Sequence, residues 1–309
     1  MLTIAHRGGA GLRVENTLAA FANAIRLSAD GAELDVQLSA DGEVVVHHDA
    51  LLNPHYCRMA DGSWLPSDQR PRIGQLTYAE LEKYDIGTPR PGSPYAARFD
   101  QVQPSPAQRI PLLTDVIRLV RDAPDDFLLV IEIKTPILEA ASRPWRTLVE
   151  RTLEVVEEEG FGDRLVLCSF DWGALLHAQV VRPGTRTWFT TQPLSWYGER
   201  PASQIELEPG AAYLQKLRAL FRTGEAPWFA GFDPRNFSGY AEAVAKAGGE
   251  AWFMYCSDYT PGVAEELQTH AIEGAAWSIN LRDAAVLRRL DRLGAYAACV
   301  DYPTPLSED

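Results

Sequence analysis

A chain of 309 residues accommodates one α/β barrel of roughly 250 residues with an insert, or two average domains. Hydrophobic residues at 46% and charged residues at 23% supply a sizeable core and exclude wholesale disorder. The 42 acidic residues outnumber the 29 basic ones, and the formal charge of −13 argues against nucleic acid or an anionic membrane surface as a partner while suiting a bound divalent cation.

Residues 2–5 read as a first short strand that runs into His6-Arg7-Gly8-Gly9. A strand end of an α/β barrel is where active sites lie, and it would carry there an imidazole that titrates near neutrality and a guanidinium able to hold two phosphate oxygens. The glycines would let backbone amides approach a ligand. The alternative is an ordinary pair of strand-end surface residues. A helix is expected over 16–29, with Asn16 or Thr17 as its N-cap and Leu18, Phe21, Ala22 and Ile25 on one face.

Residues 32–38 form the next strand, and the strand period of two sends Glu33 and Asp35 to one face, opposite Leu34 and Val36. Two carboxylates held that close raise each other's pKa unless a cation lies between them, and they offer hard oxygens suited to Mg²⁺ or Ca²⁺. Read alone, they could equally be the solvated side of a half-exposed strand. Asp41-Gly42 signals a tight hairpin into Val44-Val45-Val46-His47-His48-Asp49. With a two-residue loop, His48 falls opposite Asp35, and a slip of two residues puts it opposite Glu33. Either register brings it within about 5 Å of a carboxylate-bearing position. In both, His47 points to the other face.

Residues 53–109 are rich in Pro, Gly and Asp, with one helical patch near 78–83, and are expected to form an inserted subdomain within a single domain over 1–309. In the strand at 127–133, Glu132 shares a face with Lys134, so the pair is either an internal ion pair or a third metal carboxylate beside a cation that binds an anionic group. Further strands are expected at 164–169, 185–190, 228–232, 251–255, 275–279 and 296–300, and the clearest helices at 145–159, 264–271 and 281–293. That count exceeds eight, so at least one strand lies outside any barrel. Residues 192–210, with Trp196, Tyr197 and three prolines, read as an ordered surface excursion.

The longest apolar runs, 251–256 and 295–300, are far below the ~18 residues of a membrane span, and the N-terminus has no basic region followed by an apolar one. No stable membrane insertion and a cytoplasmic location are therefore expected. Cys57, Cys168, Cys256 and Cys299 are spaced for neither zinc nor redox chemistry and read as small buried hydrophobes.

Taken in order, His6-Arg7-Gly8, Glu15-Asn16-Thr17, Glu33-x-Asp35, Asp41-Gly42 with Val46 and His48-Asp49, Ile110-Pro111-Leu112-Leu113, Glu132-Ile133-Lys134, Ser169-Phe170, Trp277-Ser278-Ile279-Asn280 and Asp301-Tyr302-Pro303 resemble the motif series of glycerophosphodiester phosphodiesterases. The resemblance implies a (β/α)₈ TIM barrel with an insert after the His-Asp motif, and one divalent cation, Mg²⁺ or Ca²⁺. It also implies hydrolysis of glycerophosphodiesters to sn-glycerol 3-phosphate and an alcohol. By the same resemblance His6 and His48 are the acid/base pair, Glu33, Asp35 and Glu132 the metal ligands, and Arg7 and Lys134 the phosphate contacts. Glu15 would support that wall from behind, and Trp277 would flank the substrate pocket. In the last strand Tyr296-Ala297 stands where the family often has Asp-Gly, and Val300 where a Thr commonly precedes Asp-Tyr-Pro, departures that bear on pocket shape. Two other classes share parts of this pattern: a phospholipase-like phosphodiester lyase on the same barrel, and a non-catalytic sugar-phosphate binding protein. The first should display apolar or basic membrane-contact loops, and the second has no need of two histidines and three carboxylates.

Overall fold

The computed structural model describes residues 1–142, 145–201, 210–279 and 284–303. Asn280, positions 281–283 of the helix expected over 281–293, and positions 202–209 of the excursion lie outside the described residues. The strands are β1 (Leu2–Ala5), β2 (Gly31–Leu38), β3 (Val44–Val46), β4 (Leu128–Ile133), β5 (Leu165–Ser169), β6 (Arg186–Thr190), β7 (Ala251–Tyr255), β8 (Glu273–Ile279) and β9 (Ala297–Val300). All but β3 pair in parallel, in the order β1-β9-β8-β7-β6-β5-β4-β2, and β1 pairs with β2 to close the barrel. β3 folds back antiparallel on β2.

Helices between the strands cover the outside, as a parallel sheet buried on both faces requires. They include Leu18–Arg26, Leu113–Val120, Arg146–Glu158, Trp172–Val181, Tyr240–Lys246, Pro261–His270 and Ala284–Arg292. The first is capped by Thr17, whose side chain accepts from the Ala20 N–H, and it buries Phe21 and Ala24 against the sheet. Leu34, Val36, Leu129, Ile131 and Ile133 belong to this outer core. Burying one such side chain fully contributes roughly 1.5–3 kcal/mol.

The alternate strand positions face inward. Ile4, Val130, Val166, Trp188, Phe253 and Cys299 fill the barrel interior. Register then decides what lies above them. Glu33 pairs with Val130, and Asp35 with Glu132, which in turn pairs with Cys168. Inward-facing positions that are apolar low in the barrel therefore become acidic towards its C-terminal mouth.

The stretch 228–232 is not a strand. Pro227 opens a 3₁₀ turn over Pro227–Phe229, and Ala230 and Gly231 take left-handed φ values of +50° and +95°, which end any extended run. Trp228 and Phe229 are nonetheless buried, stacked or tilted against Tyr197. The apolar signal was packing of the excursion after β6, which also contains the helix Ala211–Thr223. Residues from 53–109 form a second core of Tyr56, Cys57, Leu65, Ile73, Tyr95 and Phe99, continuous with Val45 of β3 and with Val14 and Ile110 of the connecting segments. All four cysteines are buried and unpaired. No described helix is long and apolar enough to cross a membrane.

Candidate active site

His6 follows β1 at the mouth, and its side chain reaches two acids. Nδ1 lies 2.6 Å from Asp301 Oδ1, and Nε2 lies 4.0 Å from Glu33 Oε2. Burial and Arg7 oppose protonation of this imidazole, but Asp301 and Glu33 outweigh them and raise its pKa above 6.5. Arg7 takes a left-handed conformation (φ 51°, ψ 34°), from which its N–H donates to Glu33 Oε2 at 2.9 Å. Its guanidinium donates to Glu15 Oε1 at 2.8 Å and lies 3.3 Å from Asp35 Oδ2. Gly8 and Gly9 serve the turn and packing more than a ligand: a Cβ on Gly8 would meet Ala20 at 2.8 Å, and one on Gly9 would meet Pro303 at 3.0 Å.

Glu33, Asp35 and Glu132 converge, each offering a carboxylate oxygen within 4.8 Å of the others. Burial and the charge of Asp35 push the Glu33 carboxyl upward, whereas Lys134, His48 and Arg7 overcome burial at Asp35 and hold it low. Lys134 Nζ sits 2.7 Å from Glu132 Oε1 and 3.0 Å from Asp35 Oδ1, and burial of the ammonium is outweighed by these two acids. Asn16, also left-handed at φ 55°, donates to Asp35 Oδ2 at 2.8 Å. Asp35 Oδ1 is buried and accepts no well-aligned hydrogen bond, although the Lys134 ammonium is near. Three hard carboxylate oxygens this close to one another fit a divalent cation.

The hairpin differs from its expected form. Ser39 N–H donates to Glu43 O, Gly42 N–H to Ser39 O, and Gly42 has φ +84°, so the loop has three residues, with a left-handed glycine at its end. Val36 then pairs with Val46 and Leu38 with Val44, one residue off the two-residue register. His47, not His48, lies across from Asp35, and its N–H donates to Asp35 O at 2.9 Å. His47 is buried on that side, with Nδ1 2.8 Å from Asp49 O, and does not point to the opposite face. His48 reaches the site because β3 ends at Val46 and the chain turns there. Gln37 Nε2 contacts the carbonyls of His47, His48 and Asp49 at 2.8, 3.2 and 2.8 Å and holds that turn. His48 Nδ1 is 2.8 Å from Asp49 Oδ1. Burial, then Arg7 and Lys134, lower its pKa below 6.5.

Trp277, half-buried at the end of β8, meets Phe170 and Tyr255 edge-on at 5.5 and 5.2 Å, forming an aromatic wall. The structure thus groups His6, Arg7, Glu33, Asp35, Glu132 and Lys134, with His48 close enough to interact electrostatically with Asp35, Arg7 and Lys134. Sequence reasoning missed the supporting roles of Asp301, Asp49 and Asn16. Strand parity puts Asp301 on the inward face, in series with Ala297 and Cys299, but does not bring it to His6.

A (β/α)₈ barrel with an acidic, histidine-bearing mouth defines the class, and the family model for glycerophosphoryl diester phosphodiesterases matches residues 6–304. The chain belongs to that family. A glycerophosphodiester phosphodiesterase of Caldanaerobacter subterraneus subsp. tengcongensis is 34% identical over 182 residues, covering 59% of this chain and 63% of that relative. The chain therefore spans somewhat less than two thirds of that relative's length. A crystal structure from Silicibacter pomeroyi, assigned to the glycerophosphoryl diester phosphodiesterases, superposes with a TM-score of 0.78 at 25% identity over 98% of this chain and 90% of that one. An Oleispira antarctica phosphodiesterase, solved in complex with the product sn-glycerol-3-phosphate, shares the fold with a TM-score of 0.66 at 22% identity, over 98% and 94% of the two chains.

Proposed function

We propose that this protein hydrolyses glycerophosphodiesters to sn-glycerol 3-phosphate and an alcohol, with a divalent cation and two histidines. The observation that carries the reading is a pair of imidazoles, each bound at Nδ1 by an aspartate, flanking buried carboxylates and two cationic side chains. Family membership and the product complex of the Oleispira relative support it.

A phosphodiester is a monoanion that gains charge as an oxygen attacks. Glu33, Asp35 and Glu132 would hold the cation, Mg²⁺ or Ca²⁺, which supplies Lewis-acid polarisation of the phosphoryl oxygens. Arg7 and Lys134, half-buried and oriented by acids, contact the phosphate, and loss of one such contact removes about 3–4 kcal/mol of transition-state stabilisation. His6 and His48 have pKa values moved in opposite directions, the pattern of a proton donor beside a proton acceptor. His6, biased towards its protonated form, protonates the leaving alkoxide, and neutral His48 accepts the proton of the attacking oxygen. Each contributes roughly 10²- to 10⁴-fold. Trp277 flanks the group beyond the phosphate, and residues 53–109 cap the mouth beside it.

The test is turnover of glycerophosphocholine with Mg²⁺ or Ca²⁺, with and without EDTA, with the products identified. Release of glycerol 3-phosphate and choline that stops with EDTA is expected. Stable accumulation of a cyclic phosphate would make the protein a lyase, and binding without turnover a sugar-phosphate binder.

A further inference from the structure

Each histidine is backed by an aspartate that spends one oxygen on the imidazole, Asp301 Oδ1 on His6 and Asp49 Oδ1 on His48. The other oxygen faces an arginine in both cases. Arg98 Nη2 lies 3.8 Å from Asp301 Oδ2, and Arg70 Nη2 lies 3.9 Å from Asp49 Oδ2, both ion-pair distances. Asp301 and His6 come from barrel strand ends and Asp49 and His48 from the hairpin, whereas both arginines come from the 53–109 insert.

The insert holds these arginines in place. Arg98 ends the short helix Pro94–Arg98, whose cap Ser93 accepts from Ala96 N–H, and its guanidinium lies 4.8 Å from the Phe99 ring. Tyr95 and Phe99 pack edge-on at 5.0 Å, Tyr95 packs on Tyr56 at 4.9 Å, and Tyr95 OH accepts from Glu15 N–H in the catalytic wall. Arg70 is anchored by Nε on Leu52 O at 3.1 Å, and Asn53 Nδ2 adds a contact to Asp49 Oδ2 at 3.3 Å.

We propose that the insert is a positioning element of the catalytic apparatus, in which Arg98 and Arg70 fix the two aspartates that orient His6 and His48. A carboxylate tethered at one oxygen turns readily about its terminal torsion, which has broad wells. A cation facing the second oxygen, joined at Asp49 by Asn53 Nδ2, biases that torsion, keeps the acceptor aligned with Nδ1–H and so leaves Nε2 aimed at the reacting atoms. Two equivalent arrangements, built by one segment on aspartates from different parts of the chain, are more than a steric cap requires. The proposal rests on the acid/base reading of the histidines.

The test compares steady-state kinetics of Arg98→Ala, Arg98→Lys, Arg70→Ala and Arg70→Lys with those of Arg72→Ala, an exposed arginine of the same segment without a catalytic contact. With glycerophosphocholine, each alanine variant should lose about tenfold in kcat with KM changed less than about twofold, as expected for a residue acting through another. The lysine variants should recover most of the loss, since each contact is made by a single nitrogen, and Arg72→Ala should match the parent. With a p-nitrophenyl leaving group, which departs without a proton, the variant backing the acid should recover and the other should not. Unchanged kcat in both alanine variants, a loss confined to KM, lysine variants as poor as alanine, or recovery of both variants on the p-nitrophenyl substrate would each overturn the proposal. His6→Ala and His48→Ala measured alongside separate the two readings: if they retain turnover, the acid/base reading fails, and if they alone lose it, only the role of the insert does.

Discussion

Arg7, Asn16 and Ser278 are non-glycine residues in the left-handed region, at φ 51°, 55° and 63°, and all three lie at the mouth or beside its aromatic wall. Such conformations cost about 1–3 kcal/mol each and persist where the surroundings over-determine them, as Glu33 and Glu15 do for Arg7 and Asp35 does for Asn16. At this scale the two adjacent histidines differ in what they can do. His48→Ala should lower kcat by at least about 10²-fold with metal binding retained, measured by turnover and by metal titration. His47→Ala should leave kcat within a few-fold but lower Tm, because His47 is buried between Asp35 and Tyr56. Equal losses of kcat would remove the assignment. The pH profile follows from the two shifts. His48 must be neutral, and its lowered pKa places the acid limb of kcat/KM below 6.5; His6 must be protonated, and its raised pKa places the alkaline limb above 6.5. A single limb would mean that only one imidazole transfers a proton.

The hairpin β2–β3 is the element that carries the most chemistry. Its strand β2 presents Glu33 and Asp35 inward, while its turn delivers His48. Gln37 is the bracket between the two, because its amide spans three successive carbonyls after β3. Gln37→Leu keeps the size but removes that donor; the Asp49 carbonyl keeps His47 Nδ1, whereas a stranded carbonyl of the buried His47 costs about 1–3 kcal/mol. A drop in kcat of about tenfold is expected, with KM less affected and the barrel still folded by circular dichroism. An unchanged kcat would show that the backbone turn holds itself.

For the whole molecule, closing eight parallel strands brings β1, β2, β4, β8 and β9 to one rim, so that residues from 6 to 301 share one site. Its carboxylates repel one another without a cation, and a metal bound only by the native state stabilises the fold by about 2.7 kcal/mol at 100 times its Kd. Adding Mg²⁺ or Ca²⁺ to EDTA-treated protein should therefore raise Tm by several degrees, and Glu132→Gln should abolish most of that rise. A Tm indifferent to metal in the parent would argue that Lys134 alone neutralises the cluster.

Strand period in the sequence was enough to determine the inward carboxylates and the placing of His6 and Arg7 at a strand end, because alternation along a strand is a local property, and the barrel class came with the resemblance carried by the motif order. The false strand at 228–232 shows the limit, since an apolar run reports burial without reporting backbone shape. The histidine register was decided by one extra loop residue at Gly42, a matter of turn geometry to which Asp-Gly is common in both forms. What only the tertiary structure decided are the pairs that span the chain: Asp301 on His6 from 295 positions away, and Arg98 on Asp301 from the insert. Distance along the sequence carries no record of such contacts, because they arise when barrel closure and the second core bring separate segments to the same rim.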